Sequence, residues 1–328
     1  MNPFEQMPMI PEPDELIEIA LGRANRASIQ QIRDRDLYTR RLLVKKLVIS
    51  YDYVENKLKV IRDWYRSLGD ISAFYDELLD VIIGREKFKN SIERVIGILP
   101  SIRKLRRTYV SKIKRSQNPR EDWREGIGRL SSIIKRRKEA FRILSDARVK
   151  LSLLPSIDNN YPLIVVGGPP NVGKSSLVNA ISTARTKVAS YPFTTRKIAI
   201  GHIKAGSKVI QIMDTPGLLD RPLSERNPIE LQAITALKHA TAMIIFMLDP
   251  SETCGYPIDY QLNVLESVKE IFKTDFMIVL NKIDLCNNDK INYVREQLKM
   301  KKYADPLEIS VKLGTNIDKL KELIVRKF

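Results

Sequence analysis

Apolar residues recur every three or four positions in the first half of the chain, whereas short unbroken apolar runs occupy the second half. The first pattern is typical of helices that bury one face, and the second is typical of buried parallel strands. Two stripes show the helical repeat: Leu43, Leu47, Tyr51, Val54, Leu58, Ile61 and Tyr65, followed by Trp123, Ile127, Leu130, Ile134, Phe141 and Leu144. The second stripe predicts one long helix. The pattern therefore predicts a helical bundle over residues 1–158 and an α/β domain over residues 159–328.

A phosphate-binding pattern lies between an apolar run and the start of a helix. Residues 168–175 read Gly-Pro-Pro-Asn-Val-Gly-Lys-Ser, which fits G-x-x-x-x-G-K-[ST], and the apolar residues 163–166 come just before them. In such a loop the backbone N–H groups surround the α- and β-phosphates, the lysine reaches the β- and γ-oxygens, and the final hydroxyl ligates magnesium. Nucleotide contacts are expected from Pro170, Asn171, Val172, Gly173, Lys174, Ser175 and Ser176.

A second motif indicates which base is bound. Residues 281–284 read Asn-Lys-Ile-Asp and follow an apolar run. Asp284 can accept hydrogen bonds from both N1–H and the exocyclic amine of guanine, whereas adenine offers no such pair and would leave the carboxylate unsatisfied. The predicted ligands are therefore GTP and GDP rather than ATP. We expect Asn281 to tie this loop to the phosphate-binding loop and Lys282 to lie along the base. A backbone donor to guanine O6 is expected from Ser310, Val311 and Lys312.

Magnesium ligands are expected on two further segments. Asp214 begins the sequence Asp-Thr-Pro-Gly after an apolar run, so we expect it to hold magnesium through a water molecule, and we expect the Gly217 amide to contact the γ-phosphate. Thr195, in a polar and turn-prone segment, is the expected second hydroxyl ligand beside Ser175, with Thr194 as the alternative. The expected catalytic residues are Lys174, Thr195 and Gly217.

The position after Gly217 bears on hydrolysis. Small signalling GTPases place a water-orienting glutamine there, but this chain has Leu218, so the intrinsic rate is expected to be slow. In GTPases with P-N-x-G-K-[ST] loops, an asparagine at the place of Asn171 helps to hold a potassium ion, which makes K⁺ a second expected ion. Alternatively, Asn171 only caps the loop through side-chain hydrogen bonds to the backbone.

Longer segments resemble a known family. Residues 191–195 read Tyr-Pro-Phe-Thr-Thr, and residues 214–227 read Asp-Thr-Pro-Gly-Leu-Leu-Asp-Arg-Pro-Leu-Ser-Glu-Arg-Asn. Further matching segments are residues 13–17, 153–158, 229–237 and 249–255. The chain resembles, over nearly its whole length, the nucleolar GTP-binding proteins of the Nog type, a branch of the Obg-like GTPases. This resemblance implies a role in assembling the large ribosomal subunit. Because the chain ends at Phe328, it is expected to be a short form without the carboxy-terminal extension of eukaryotic members.

Positive charge is concentrated in one part of the chain. The formal net charge is +17, yet Lys and Arg only balance Asp and Glu over residues 1–100, and residues 101–150 hold most of the excess. A solvated helix face normally mixes both signs, so this density favours a polyphosphate partner over a merely solvated surface. The aromatic residues there fall on core spacing, which favours contacts to the phosphates of folded RNA over base stacking. The candidate RNA contacts are Arg106, Arg107, Arg136 and Arg137.

Composition limits the compartment and the partners. The chain has only two cysteines and no apolar run near 18 residues, so we expect a cytoplasmic protein without disulfides or a membrane partner. No DNA partner is expected.

The predicted fold is a phosphate-loop α/β GTPase domain with about six, mostly parallel strands, preceded by an all-α bundle. The predicted function is a magnesium-dependent GTPase switch that docks on ribosomal RNA, or on a precursor of the large subunit, through the basic helices. The alternative is a GTP-sensing switch that gates a protein partner without binding RNA.

Overall fold

The computed structural model describes residues 2–183, 186–192 and 197–328, and these form two compact units. The helical unit consists of Pro3–Ile71 and Ile82–Ser152. The sheet unit consists of Asn2, Ser72–Val81 and the described residues from Leu153 onward. The helices of the first half are α1 (Pro13–Asn25), α2 (Arg35–Ser67), α3 (Ala73–Ile82), α4 (Arg85–Ile96), α5 (Leu99–Arg115), α6 (Pro119–Lys135) and α7 (Lys138–Ser152).

Helices α2, α5 and α6 pack closely in the helical unit. The buried Tyr51 hydroxyl of α2 donates a hydrogen bond to the Gly126 carbonyl of α6 at 2.7 Å. A Cβ atom at Gly126 would lie 2.9 Å from atoms of both Leu47 and Tyr109, so a glycine is required where the three helices meet. The stripe predicted on α2 is buried from Leu47 to Ile61, as expected for a bundle core.

The stripe predicted as one long helix is divided between two helices. Helix α6 ends at Lys135 and α7 begins at Lys138. The backbone N–H of Arg137 donates to the Ile134 carbonyl three residues earlier at 2.9 Å, a tighter turn than that of an α-helix. Apolar spacing alone could not reveal this break, because Ile134 and Phe141 are seven residues apart and stay on the buried side.

Helix α3 belongs to the sheet unit although it lies within the first 158 residues. The Tyr75 hydroxyl donates to the Pro155 carbonyl at 2.8 Å and accepts from the Ile157 N–H at 3.0 Å. Glu77 pairs with His239 at 2.8 Å. These contacts explain why the compact units differ from a simple division of the chain at residue 158.

The sheet has seven strands among the described residues, one more than the approximate prediction. They are β1 (Leu163–Gly167), β2 (Lys187–Ala189), β3 (Ile198–Ala205), β4 (Lys208–Asp214), β5 (Thr241–Leu248), β6 (Asp275–Leu280) and β7 (Leu307–Glu308). The spatial order is β2-β3-β4-β1-β5-β6-β7, and only the β2–β3 and β3–β4 pairs are antiparallel. The three-residue β2 forms one edge of the sheet.

The connecting helices of the sheet unit are α8 (Lys174–Ile181), α9 (Pro228–Lys238), α10 (Ile258–Ile271), α11 (Asn288–Met300) and α12 (Ile317–Lys327). One buried cluster joins alternate residues of the central strands, such as Ile164 and Val166, to Leu177 of α8 and Leu320 of α12. After β1 the chain forms β2, β3 and β4, which all lie on one flank of β1. It then crosses to β5 on the other flank of β1. This arrangement places a change of direction beside β1, where open α/β sheets bind their ligands.

Candidate functional site

The predicted nucleotide-binding segments follow the carboxyl ends of neighbouring parallel strands. The register pairs Val166 of β1 with Asp214 of β4, and Leu248 of β5 with Leu280 of β6. The phosphate-binding loop, the Asp-Thr-Pro-Gly segment and the Asn-Lys-Ile-Asp segment therefore lie at one edge of the sheet. This is the geometry expected of a nucleotide-binding crevice in an α/β protein.

Two glycines of the phosphate-binding loop adopt backbone angles that favour glycine. Gly168 has a φ of 135° and Gly173 a φ of 105°. A Cβ atom at Gly168 would lie 2.4 Å from the Met247 carbonyl oxygen, and one at Gly173 would lie 2.4 Å from the Asn281 side-chain nitrogen. The loop can therefore lie close to β5 and to the base-recognition segment only with glycine at these positions.

The buried Lys174 begins helix α8, with its ammonium group inside the loop. Its Nζ donates to the Gly168 carbonyl at 2.6 Å and to the Pro169 carbonyl at 2.7 Å. The ammonium is thus held by carbonyls of the loop that is expected to surround the phosphates. Pro170 is half-buried, Val172 is buried, and Asn171 and Ser176 are exposed.

Ser175 and Asp214 form the part of the site that suits magnesium. The Ser175 hydroxyl donates to Asp214 Oδ2 at 2.5 Å, which brings the two predicted ligands together. The other carboxylate oxygen, Asp214 Oδ1, is buried and has no hydrogen-bond partner in the described part of the chain. Burial raises the pKa of Asp214, although Ser175 and Lys174 oppose this change. A hydroxyl beside a carboxylate with an unsatisfied oxygen is the hard-oxygen donor set that magnesium prefers.

The remaining predicted metal ligand cannot be placed. Thr195 and its alternative Thr194 lie outside the described residues. Within the described ranges, no group of three or more His, Cys, Asp or Glu residues could hold a metal ion.

A buried arginine that belongs to none of the predicted motifs supports the loop after β4. The Arg226 side chain is 2% exposed and donates to the carbonyls of Gly217 and Leu218 at 2.7 and 2.8 Å. It also donates to Asp220 Oδ1 at 2.9 Å, while Asp220 Oδ2 accepts from the Gly217 N–H at 2.8 Å. The amide expected at the γ-phosphate is therefore hydrogen-bonded to Asp220 in this structure. Only the position of Arg226 in the segment that resembles the family could have drawn attention to it.

Asn281 connects the phosphate-binding and base-recognition loops, as the sequence predicted. Its side-chain nitrogen donates to the Val172 carbonyl at 2.8 Å, and its side-chain oxygen accepts from the Val311 N–H at 3.1 Å. The Ser310 hydroxyl donates to Asp284 Oδ1 at 2.6 Å. One amide thus joins the loops after β1, β6 and β7, and Asp284 is exposed at the same place.

Lys282 and Lys312 occupy different surroundings at the base-recognition end. Lys282 Nζ pairs with Asp249 Oδ2 at 2.8 Å, whereas Lys312 is exposed in the turn after β7. Asp249 was not predicted as a functional residue, because it is distant in sequence from Lys282 and only the folded sheet brings the two together.

Ion pairs separate the predicted RNA contacts in the helical unit into two groups. Arg106 pairs with Asp52 and with Glu55 of α2. Arg107 and Arg136 are exposed and Arg137 is half-buried, and none of the three forms an ion pair with a described residue. We define the basic surface as the exposed basic residues between the start of α5 and the end of α7 that form no such pair: Lys104, Arg107, Lys114, Arg115, Arg120, Arg124, Arg136, Lys138, Arg142 and Lys150.

None of the described helices is both long enough and apolar enough to span a membrane.

Comparison with known proteins identifies two matching family models. The model of the NOG1 N-terminal helical domain matches residues 4–158, and the model of nucleolar GTP-binding protein 1 (NOG1) matches residues 228–284. An uncharacterized protein of Methanocaldococcus jannaschii is 37% identical over 300 residues, which cover 88% of this chain and 83% of that protein. Nucleolar GTP-binding protein 1 of Encephalitozoon cuniculi is 31% identical over 328 residues, which cover 98% of this chain and 62% of the relative.

A crystal structure of a Plasmodium falciparum protein assigned as nucleolar GTP-binding protein 1 is also similar. It is 36% identical, with a TM-score of 0.46, and the match covers 53% of this chain and 89% of that one. The chain spans about half the length of several other curated relatives, such as 43% of the Caenorhabditis elegans protein.

Proposed function

The chain belongs to the nucleolar GTP-binding protein 1 family, and on this premise we propose that it binds GTP and GDP, hydrolyses GTP, and acts as a switch in the assembly of the large ribosomal subunit. The observation that carries the nucleotide part of the proposal is the Asn281 side chain, which bridges Val172 and Val311. This bridge fixes the distance between a phosphate-binding loop and a guanine-recognising carboxylate, and a nucleotide must satisfy both.

Recognition begins at the base. The exposed Asp284 carboxylate accepts the two donors on the Watson–Crick edge of guanine, and Ser310 holds one of its oxygens in place. Adenine would present only its amine to this carboxylate and no second donor. Binding of an adenine nucleotide would therefore remove water from the carboxylate without replacing all of the lost hydrogen bonds. The loop backbone from Pro170 to Ser175 then surrounds the phosphates, and the Lys174 ammonium exchanges its two carbonyl partners for phosphate oxygens.

Ser175 and Asp214, with Thr195 as the proposed third residue, would hold magnesium. When bound, the ion would supply charge neutralisation at the β- and γ-phosphate oxygens. The Gly217 N–H would leave Asp220 and donate to the γ-phosphate, so the loop after β4 would change its hydrogen bonds with the state of the nucleotide. Leu218 is buried and aliphatic, so it cannot orient a water molecule. We therefore propose slow intrinsic hydrolysis, accelerated by a partner or by a bound cation near Asn171.

The second part of the proposal is that the basic surface contacts phosphates of ribosomal RNA. Its residues are exposed and form no ion pairs with the described carboxylates, whereas neighbouring basic side chains such as Arg103, Arg106 and Lys112 are neutralised within the protein. Arg106 consequently becomes a weaker candidate than the exposed Lys104. The alternative, a switch that gates a protein partner without RNA, gives no reason for this excess of unpaired positive charge.

Nucleotide competition tests the first part of the proposal. Calorimetry should show binding of GDP and GTP by the wild-type chain and no comparable binding of ATP. Asp284→Asn should shift the preference from guanine to xanthine nucleotides, because the amide donates where the carboxylate accepts. Lys174→Ala should abolish nucleotide binding while thermal unfolding still shows a folded protein. ATP bound as tightly as GTP would overturn the assignment.

A further inference from the structure

Asp249 is a fully buried carboxylate at the carboxyl end of β5. It is 0% exposed and lies directly after Leu248, next to the base-recognition loop that follows β6. Removing a carboxylate from water is unfavourable unless hydrogen-bond donors or opposite charges replace the water. The fold therefore has to surround Asp249 with donors.

The donors come from one turn and from one distant lysine. Oδ1 accepts from the Ser251 N–H at 3.0 Å and from the Ser251 hydroxyl at 2.5 Å. Oδ2 accepts from the Thr253 hydroxyl at 3.1 Å, from the Cys254 N–H at 2.8 Å and from Lys282 Nζ at 2.8 Å. Burial acts to raise the pKa of Asp249, but these donors outweigh it and hold the pKa below the ordinary value, so the group is ionised at neutral pH.

Both ends of the Lys282 side chain are fixed by this arrangement. Its backbone has a φ of 61°, in the left-handed region, immediately after the anchored Asn281. Its ammonium donates to Asp249 and, at 3.0 Å, to the Thr253 hydroxyl. A lysine stem is normally one of the most mobile side chains, so an anchor at each end restricts it strongly.

We propose that Asp249 is a positioning residue for base recognition, holding the aliphatic stem of Lys282 in the orientation in which it lies along the purine ring. This inference rests on the proposed function, because it assumes that a guanine nucleotide occupies the site. Asp249 itself would not touch the nucleotide. The Asp249–Lys282 pair would set the affinity for the base, whereas Asp284 would set the choice of base.

This division of roles predicts distinct effects on two nucleotides. IDP carries hypoxanthine, which lacks the exocyclic amine of guanine but has a ring of the same size. The aliphatic stem of Lys282, lying along the ring, would contact both bases alike. Loss of Asp249 should therefore reduce the affinities for GDP and IDP by the same factor. Loss of Asp284 should weaken GDP more than IDP, because only guanine offers the second donor.

The test compares the full chain with Asp249→Asn, Lys282→Met and the double variant. Calorimetry should show that Asp249→Asn weakens both GDP and IDP by roughly ten-fold, and that the double variant binds no worse than Lys282→Met alone. In steady-state hydrolysis the loss should appear mainly as a higher KM for GTP rather than as a lower kcat, because the proposed contact is to the base. Asp275→Asn is the matched control, since Asp275 also pairs with a lysine, Lys327, at 2.6 Å. It should bind both nucleotides as the wild type does.

Unchanged affinity of Asp249→Asn, or additive losses in the double variant, would overturn the inference. If Asp249→Asn does not fold, Thr253→Val provides the second arm, because it removes a hydroxyl that contacts both Asp249 and Lys282. It should weaken GDP by about three-fold, and wild-type affinity would again overturn the inference. Failure of the wild-type chain to bind GDP would instead contradict the proposed function.

Discussion

Two aliphatic side chains follow the amide that is expected to contact the γ-phosphate. Leu218 and Leu219 are both buried in the sheet unit, so neither can present a polar group to an attacking water molecule. Asn171, in contrast, is exposed in the phosphate-binding loop with a φ of 61°. Its side chain forms no hydrogen bond with any described residue. No contact of the described residues shows the capping role that is the alternative to the proposed cation contact.

Hydrolysis is expected to be slow and to depend on potassium. The isolated protein should turn over GTP at roughly 10⁻⁴ to 10⁻² per second, because no side chain after Gly217 orients water. Potassium should accelerate the reaction relative to sodium, and Asn171→Ala should remove that difference. Single-turnover assays in the two salts provide the measurement. Equal wild-type rates in both would eliminate the cation contact, and a rate near 10 per second would reveal a catalytic group not identified in the structure.

The predicted site residues are those whose signal is local in the sequence. The phosphate-binding loop, Asp214 and residues 281–284 each follow an apolar strand and have local signatures. Asp249 and Arg226 were not predicted as functional residues, because their roles depend on partners that only the folded sheet brings near. The role of a buried charged residue depends on its neighbours in the fold, and the spacing of apolar residues in the sequence does not identify those neighbours.

At the scale of elements, the loop after β4 depends on a buried guanidinium. Arg226→Met would leave the carbonyls of Gly217 and Leu218 and Asp220 Oδ1 without their arginine donor. We expect a loss of roughly 3 kcal/mol in the free energy of unfolding, measured with urea, because one partner of a buried pair is removed. Arg221→Gln is the control, since Arg221 is 43% exposed and its pair with Glu230 should contribute less than about 1 kcal/mol. Equal losses in the free energy of unfolding for the two variants would show that burial does not determine how much each arginine contributes to stability.

Helices α2 and α5 are joined through Glu55. Burial acts to raise the pKa of this carboxyl, but hydrogen bonds from Lys59 and Arg103 outweigh it, so the pKa lies below its ordinary value of 4.5. Because the folded-state pKa is depressed, this contribution to stability is fully present above about pH 4.5 and is lost as the pH falls through the folded-state value.

Glu55→Gln should therefore destabilise the protein at pH 7 by about 1–2 kcal/mol, since its basic partners are partly exposed. The difference from wild type should shrink in urea titrations carried out below pH 4. Asp63→Asn, on the exposed side of the same helix, should have little effect at either pH. If the difference in the free energy of unfolding between wild type and Glu55→Gln does not change with pH, the assigned ion pairs of Glu55 are contradicted.

Element types were more predictable than element ends. The helical and strand patterns identified the bundle and the mostly parallel sheet because burial imposes different spacing on the two structures. The break between α6 and α7, the short edge strand β2 and the association of α3 with the sheet unit were not predicted. Each depends on a single turn or on distant contacts, such as those of Tyr75, rather than on an extended pattern.

At the scale of the whole molecule, the chain combines a nucleotide site in one unit with concentrated positive charge in the other. Residues 1–100 carry no net charge by the formal count, so the excess on α5 to α7 is a local property and not a general one. Intramolecular ion pairs neutralise only some of these side chains. A surface of this kind predicts binding whose affinity falls linearly with salt on a logarithmic scale, with a slope that reflects the number of phosphate contacts.

We propose that the nucleotide state controls association with large-subunit particles through the basic surface. Sedimentation with such particles tests it directly, using a non-hydrolysable GTP analogue or GDP at two salt concentrations. A variant with Lys104, Arg107, Lys114 and Arg136 changed to glutamine should lose association while retaining its fold and GDP affinity. In the charge-matched control, four exposed lysines of the sheet unit are changed to glutamine instead: Lys273, Lys299, Lys302 and Lys319.

We predict that the wild type and the control co-sediment with the particles in the GTP-analogue state at low salt, less so with GDP, and less so at high salt. The basic-surface variant should remain unbound in every condition. Equal association of wild type and variant, irrespective of nucleotide and salt, would show that the basic surface does not bind the particles.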